Sequence, residues 1–250
     1  MTPKVLAIVN QKGGTGKTTT TVNIGSAFAA KGYRVLLIDL DPQGNLTYSL
    51  GINEFEKGVD DVLKHDSLLV DSLIERELMD VLPATTNLAK LELVQLDMSN
   101  TAYILSEALT DVAEEYDFIL IDCPPSLSWL TINALTAAHK VLIPMQLDVF
   151  SIQGLTQIMA TVQEIKNQYN DELEIAGVLA VMVDNRKKLT NEVLEHVKDS
   201  FDVSVFENVI RTNVKAAEAP SFGTSVINYA PTSNSARDYI AAADELLSKV

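Results

Sequence analysis

Residues 10–21 of this 250-residue chain read Asn10-Gln11-Lys12-Gly13-Gly14-Thr15-Gly16-Lys17-Thr18-Thr19-Thr20-Thr21. An apolar run at 5–9 precedes them and a helix-like segment at 22–30 follows. A strand, a glycine loop and a helix in that order form a phosphate cradle. Backbone N–H groups converge on the anion, and the helix N-terminus adds the positive end of its dipole. Lys17 is spaced to reach the β- and γ-phosphates of a nucleoside triphosphate, and the Thr18 hydroxyl to ligand Mg²⁺. The usual loop is G-x-x-x-x-G-K-[ST]. Here Gln11 occupies the first glycine's place, and a second lysine, Lys12, stands before Gly13-Gly14. Two lysines exceed what one cradle needs, so Lys12 is read as reaching across to a second subunit.

Three carboxylates join this loop. Asp39 and Asp41 close the run Val35-Leu36-Leu37-Ile38, and alternation puts both on one side of the chain as it leaves the sheet. Asp39 is placed to hold a metal-bound water, and Asp41 to orient the lytic water as a base. Pro42 and Gly44 turn the following segment, which suits a loop that senses the γ-phosphate. Asp122 ends the run 117–121 and precedes Cys123-Pro124-Pro125-Ser126. An apolar strand ending in Asp is how P-loop proteins bring a second carboxylate toward Mg²⁺.

The elements that must position these residues follow from the pattern. Strand-like runs fall at 4–10, 34–40, 78–83, 117–122, 140–145, 174–183 and 205–210. Helical patterns lie near 17–31, 100–115, 128–138, 151–169, 188–200 and 234–249, with short helices expected within 44–76. Continuous apolar strands suit a sheet covered on both faces. The reading is one α/β domain over 1–250: a doubly wound, mostly parallel sheet, helices on both faces, ligands at the strands' carboxyl ends.

Composition narrows the class. The apolar content of 47% suits one α/β domain with a large core, or at most two small ones. No apolar run reaches the roughly 18 residues of a membrane span, and no export signal is read at the start. The single cysteine, Cys123, excludes an internal disulfide and suits a reducing cytoplasm, where it is expected to be a buried small hydrophobe. His65, His139 and His196 lack ligand spacing and are expected on the surface or in helices, and Trp129 is expected to pack. A net charge of −15 excludes a uniformly basic surface. Residues 54–117 hold sixteen Asp and Glu against four Lys and Arg, read as a solvated helical face. Positive charge clusters at Arg186-Lys187-Lys188, Arg211 and Lys215, so nucleic-acid binding needs a local patch. The segment 236–250 carries too much acid for an anionic membrane and is expected to be a packed terminal helix.

The stretch 12–20 resembles the deviant Walker A box of the MinD/ParA class. Asn10-Gln11, Asp39-Leu40-Asp41-Pro42-Gln43-Gly44-Asn45, Asp122-Cys123-Pro124-Pro125-Ser126-Leu127 and Glu218-Ala219-Pro220-Ser221-Phe222-Gly223 resemble the ParA/Soj partitioning ATPases within it. The resemblance implies a nucleoid-associated ATPase using ATP and Mg²⁺. It implies a homodimer that sandwiches two nucleotides, with Lys12 of each subunit on the other's phosphates. It further implies non-specific DNA binding and slow hydrolysis stimulated by a ParB-type centromere-binding protein. Carried over by position, Gly13, Gly14, Thr15, Gly16, Lys17, Thr18 and Thr19 cradle the nucleotide, and Thr18, Asp39 and Asp122 form the metal site. Lys12 and Asp41 are catalytic, and Arg211 and Asn213 lie near the adenine. Arg186, Lys187, Lys188 and Lys215 form the DNA patch. The family usually reads Ile-Pro-Arg-Asn-Val-Arg where this chain has Ile210-Arg211-Thr212-Asn213-Val214-Lys215. The lost arginines predict weaker DNA binding with a flatter salt dependence. A MinD-like membrane-cycling ATPase is the alternative, and it calls for the basic amphipathic terminal helix that this chain lacks. An iron-protein type of electron carrier needs at least two cysteines per subunit.

Overall fold

The computed structural model describes residues 2–92, 101–184 and 188–250, except the side chains of Glu92, Val149 and residues 188–191. The strands are β1 (Lys4–Ile8), β2 (Val35–Asp39), β3 (Ile74–Arg76), β4 (Met79–Leu82), β5 (Phe118–Asp122), β6 (Lys140–Gln146) and β7 (Glu174–Val181). Among the described residues they form one sheet in the order β3-β4-β2-β5-β1-β6-β7. Every neighbouring pair is parallel except β3 with β4. The helices are α1 (Lys17–Ala30), α2 (Asn45–Ser49), α3 (Val59–Leu63), α4 (Leu88–Glu92), α5 (Ile104–Thr110) and α6 (Trp129–Ala137). They continue with α7 (Val149–Gln168), α8 (Lys188–Ser200), α9 (Val214–Glu218), α10 (Val226–Tyr229) and α11 (Asn234–Leu247).

Strand alternation splits the core into two layers. Val5, Ala7, Leu36, Ile38, Ile119, Ile121, Val141 and Ile143 face one layer, covered by α3, α5, α6 and α7. Leu6, Ile8, Val35, Leu37, Phe118, Leu120 and Leu142 face the other, covered by α1 and α11. Both faces of the central strands are therefore dry, which explains why they read as unbroken apolar runs. Gly25 lets α1 sit close to the sheet, because a Cβ there would come within 2.7 Å of Leu37 Cδ2. The terminal helix α11 buries Ala236, Tyr239, Ala242, Ala243 and Leu246, so its apolar face is used in the core as expected. Among the described residues no helix is long and apolar enough to cross a membrane.

Some expected boundaries differ. The run 205–210 is not a regular strand: it runs beside β7 with isolated bridges at Val178–Val205 and, just beyond both, Val183–Arg211, and with the Phe206 and Ile210 N–H groups donating to Val178 O and Ala180 O. Charged and polar Glu207 and Asn208 interrupt it, and their backbone N–H groups donate to Glu245 instead of to a neighbouring strand. Of the helix expected over 100–115, residue 100 lies outside the described residues, and the described part is regular at Ile104–Thr110 and loosens into turns after it. The three-residue β3, an antiparallel edge, is too short to show a period. Trp129 packs, donating Nε1–H to Thr101, and Cys123 is buried. His139 is half-buried: its Nδ1 accepts the Val5 N–H at 3.1 Å, and burial holds its pKa below the ordinary 6.5.

Candidate phosphate-binding site

Parallel register builds the site. Asp122, at the end of β5, lies opposite Ile8 of β1 and Asp39 of β2. The loop that leaves β1 therefore emerges beside two carboxylates at the carboxyl edge of the sheet. In that loop Gly14 and Gly16 have φ of 74° and 75°, a left-handed backbone that favours glycine. Gly16 starts α1 without any side-chain cap, and no residue of the helix's own first turn is acidic, so its positive end is left to groups brought from elsewhere in the fold. Asn10 braces the loop: its Nδ2 donates to Pro144 O at 2.6 Å, and its Oδ1 accepts the Lys12 N–H at 2.9 Å. Gln146 Nε2 donates to Gly14 O at 3.3 Å, and Thr15 Oγ1 to Lys12 O at 3.1 Å. Gly13 leaves open space where a side chain would stand.

Lys17, Thr18, Asp39, Asp41 and Asp122 come together as the spacing predicted. Thr18 Oγ1 donates to Asp122 Oδ2 at 2.6 Å. Asp39 is fully buried, and its Oδ2 accepts both the backbone N–H (2.9 Å) and the hydroxyl (2.7 Å) of Thr47, while Oδ1 accepts the Asp41 N–H at 3.2 Å. Asp41 Oδ1 in turn accepts the Gln43 N–H at 2.9 Å, which shapes the turn after β2. Burial pushes the Asp39 carboxyl up to about 6, against the Thr47 bonds. Burial, reinforced by Asp39, raises Asp122 well above the carboxylate range. Burial also pushes the Lys17 ammonium below its ordinary value, opposed by Asp122 and Asp41. Three carboxylates thus crowd one ammonium in a dry place, an arrangement that an added cation would relieve.

The donors fit Mg²⁺. Thr18 Oγ1 and the Asp122 carboxylate are hard oxygens at hydrogen-bond distance from each other. Among the described residues no group of three or more His, Cys, Asp or Glu could hold a metal ion alone. The Thr18 and Asp122 oxygens suit an ion bound by one or two protein oxygens together with substrate phosphates.

Lys12 lies outside this cluster. Its ammonium pairs with Asp148 Oδ2 at 2.5 Å, with side chains 41% and 34% exposed. Asp148 is the N-cap of α7, with Oδ1 accepting the Ser151 N–H at 3.0 Å. Burial works to raise the Asp148 carboxyl, but the bonds from Lys12 and Ser151 outweigh it and hold it below the usual range.

The remaining candidates are committed to neighbours. Arg211 makes a two-pronged pair with Asp238, Nε–Oδ2 at 3.0 Å and Nη2–Oδ1 at 2.6 Å. Asn213 caps α9 by accepting the Lys215 N–H at 2.8 Å. Lys215 pairs with Glu218 at 2.8 Å and lies 5.5 Å from the Tyr229 ring centre. Arg186 and Lys187 lie outside the described residues, as does the Lys188 side chain. Sequence reasoning missed Thr47, the main partner of Asp39, and Asp148. An Asp three residues before Ser151, at the head of an expected helix, was the available capping signal for Asp148.

The chain's likeness to known proteins agrees with this geometry. A family model described as an AAA domain matches residues 3–175. The sporulation initiation inhibitor protein Soj of Bacillus subtilis (strain 168) is 45% identical over 247 residues, covering 97% of this chain and 98% of its own. The chromosome partitioning protein ParA of Caulobacter vibrioides (strain NA1000 / CB15N) is 42% identical over 252 residues, covering 98% and 94%. The solved structure of cobyrinic acid a,c-diamide synthase from Mycobacterium smegmatis with bound ATP analog and magnesium superposes with a TM-score of 0.88 at 36% identity, covering 98% and 94%.

Proposed function

This chain belongs to the Soj/ParA family of chromosome-partitioning ATPases, and from that premise we propose how its residues run an ATP-dependent switch on DNA. ATP and Mg²⁺ are its substrate and cofactor. The loop at 13–19 wraps the phosphates, Lys17 meets the β- and γ-phosphates, and Thr18 and Asp122 hold the metal, with Asp39 behind them. When bound, Mg²⁺ supplies positive charge against the β- and γ-phosphate oxygens. Asp41, on the turn after β2, orients the attacking water and accepts its proton. The strip at 211–213 lies beside the adenine, held at the sheet's carboxyl edge by the Thr212 N–H to Val183 O bond of 3.1 Å.

Lys12 serves the second protomer. It leaves Asp148 and reaches the phosphates bound by its partner, so two nucleotides are sandwiched and the homodimer forms only with ATP. The dimer binds non-specific DNA through Arg186, Lys187, Lys188 and Lys215, and so associates with the nucleoid. Unaided hydrolysis is slow: among the described residues the arginine at the site's edge, Arg211, is tied to Asp238 and offers no finger for the γ-phosphate. A ParB-type centromere-binding protein supplies the stimulation.

One observation carries the reading: Lys17, Thr18, Asp39, Asp41 and Asp122 converge at one edge of the sheet, with Lys12 half-exposed beside them. Gel shift on a non-specific duplex with ATP, ADP or no nucleotide tests it. Retardation with ATP alone is the expected outcome, and equal retardation in all three refutes the switch.

A further inference from the structure

The surface left unexplained lies at the opposite end of the sheet. The segments entering β2 and β5 and the tight β3–β4 turn sit at the amino ends of the parallel strands. A cavity of about 760 Å³ opens there, with Leu68, Val70, Leu78 and Tyr116 in its walls. A second, of about 480 Å³, adjoins it across Leu68, Leu69 and Asp111, and the two line one groove-like face.

Three features set this groove apart from ordinary surface. Three of its apolar side chains are open to solvent: Leu68 is 61%, Val70 59% and Leu78 75% exposed. Its tightest turn carries strain, because Glu77 and Leu78 have φ of 50° and 64°, a left-handed pair usually filled by Asn or Gly. The chain keeps a leucine there and presents it to the groove. Third, the apolar floor has an acidic rim. Glu75, Asp111 and Glu115 line it, with Arg34 in the same wall, and none of the three carboxylates forms an ion pair with a cation among the described residues. Lys57 reaches Asp71 at 3.9 Å, and the Arg34 guanidinium at the groove is already held by Asp117 at 2.9 Å. The acidic excess over 54–117 is therefore not only a solvated helical face, since part of it frames an apolar slot.

We propose that this groove docks a cationic amphipathic helix of a partner protein, its apolar stripe over Leu68, Val70 and Leu78 and its flanking Lys or Arg against Glu75, Asp111 and Glu115. An acidic frame repels nucleic acid and anionic lipid, and a helix laid into an apolar slot between like charges needs the opposite sign on its flanks. The proposal is independent of the roles given to Lys12, Asp41 and the DNA patch, because the groove lies at the other end of the strands.

Fluorescence anisotropy with the nucleotide-free full chain tests it. The probes are a labelled helix of about 18 residues with one leucine stripe and lysine flanks, and its glutamate-flanked counterpart. The lysine helix should bind and the glutamate helix should not. Leu78→Gly changes no charge and relieves the turn, so the melting temperature should hold or rise while affinity falls about tenfold. Joint Glu75→Gln, Asp111→Asn and Glu115→Gln substitution should weaken binding and flatten its salt dependence. The proposal is overturned if the lysine helix fails to bind, if both helices bind alike, or if these variants bind it as the parent chain does. It is equally overturned if the parent chain, but not Leu78→Gly, self-associates in sedimentation, since the occupant is then a second copy.

Discussion

Replacing Asp148 by Asn isolates the contact that holds Lys12 within its own protomer. The pair is short, 2.5 Å, but both side chains are more than a third exposed, so solvent screening limits its worth. Partly exposed pairs of this kind contribute about 0.2–1 kcal/mol. Two such pairs must break when two protomers exchange lysines, an opposing term of about 0.4–2 kcal/mol per dimer, or roughly 2- to 30-fold in the dimerisation constant. Asn at 148 keeps an oxygen for the Ser151 N–H and is itself a good N-cap, so α7 should remain intact. Sedimentation equilibrium with a non-hydrolysable ATP analogue should therefore show tighter dimers in Asp148→Asn, and the gain should shrink in high salt. A weaker dimer at unchanged helix stability would refute the reasoning, because Asp148 would then belong to the assembled interface.

Other consequences are equally concrete. Asp41→Ala should bind ATP and dimerise while losing about 10²–10⁴-fold in hydrolysis rate, measured as phosphate release. Joint neutralisation of Arg186, Lys187 and Lys188 should weaken DNA binding and reduce the slope of log affinity against log salt by about one for each phosphate no longer neutralised. His139 accepts the Val5 N–H, so its neutral form belongs to the fold, and its folded pKa is depressed by burial. The unfolded chain binds the proton more readily, so the stability from His139 is complete above its ordinary 6.5 and is lost as pH falls below that. His139→Asn, which can present an amide oxygen to the same N–H, should lose less stability than the parent between about pH 6.5 and 5 in urea titrations.

The phosphate loop and its carboxylates were legible because each sits in a short local pattern that the fold uses directly. The run 35–38 with Asp39 and the run 118–121 with Asp122 are strands closed by the residue that acts, and parallel pairing alone brings the two aspartates side by side. The two-layer sheet was legible for the same reason, since double burial writes unbroken apolar runs. Thr47 was hidden because its tie to Asp39 depends on how α2 folds back over the sheet edge, which no period in 44–76 encodes. The short β3 was hidden because three residues cannot show alternation, and the apparent strand at 205–210 misled because Glu207 and Asn208 find their partner, Glu245, far along the chain. The ion pairs of Arg211 with Asp238 and of Lys215 with Glu218 were not legible in the charge pattern alone.

Lys12 crossing between protomers is the central claim. Lys12→Ala, loaded with the non-hydrolysable ATP analogue and followed by sedimentation velocity, should bind nucleotide through the intact Lys17 loop yet stay monomeric. ATP-driven dimers of normal strength in that variant would contradict it.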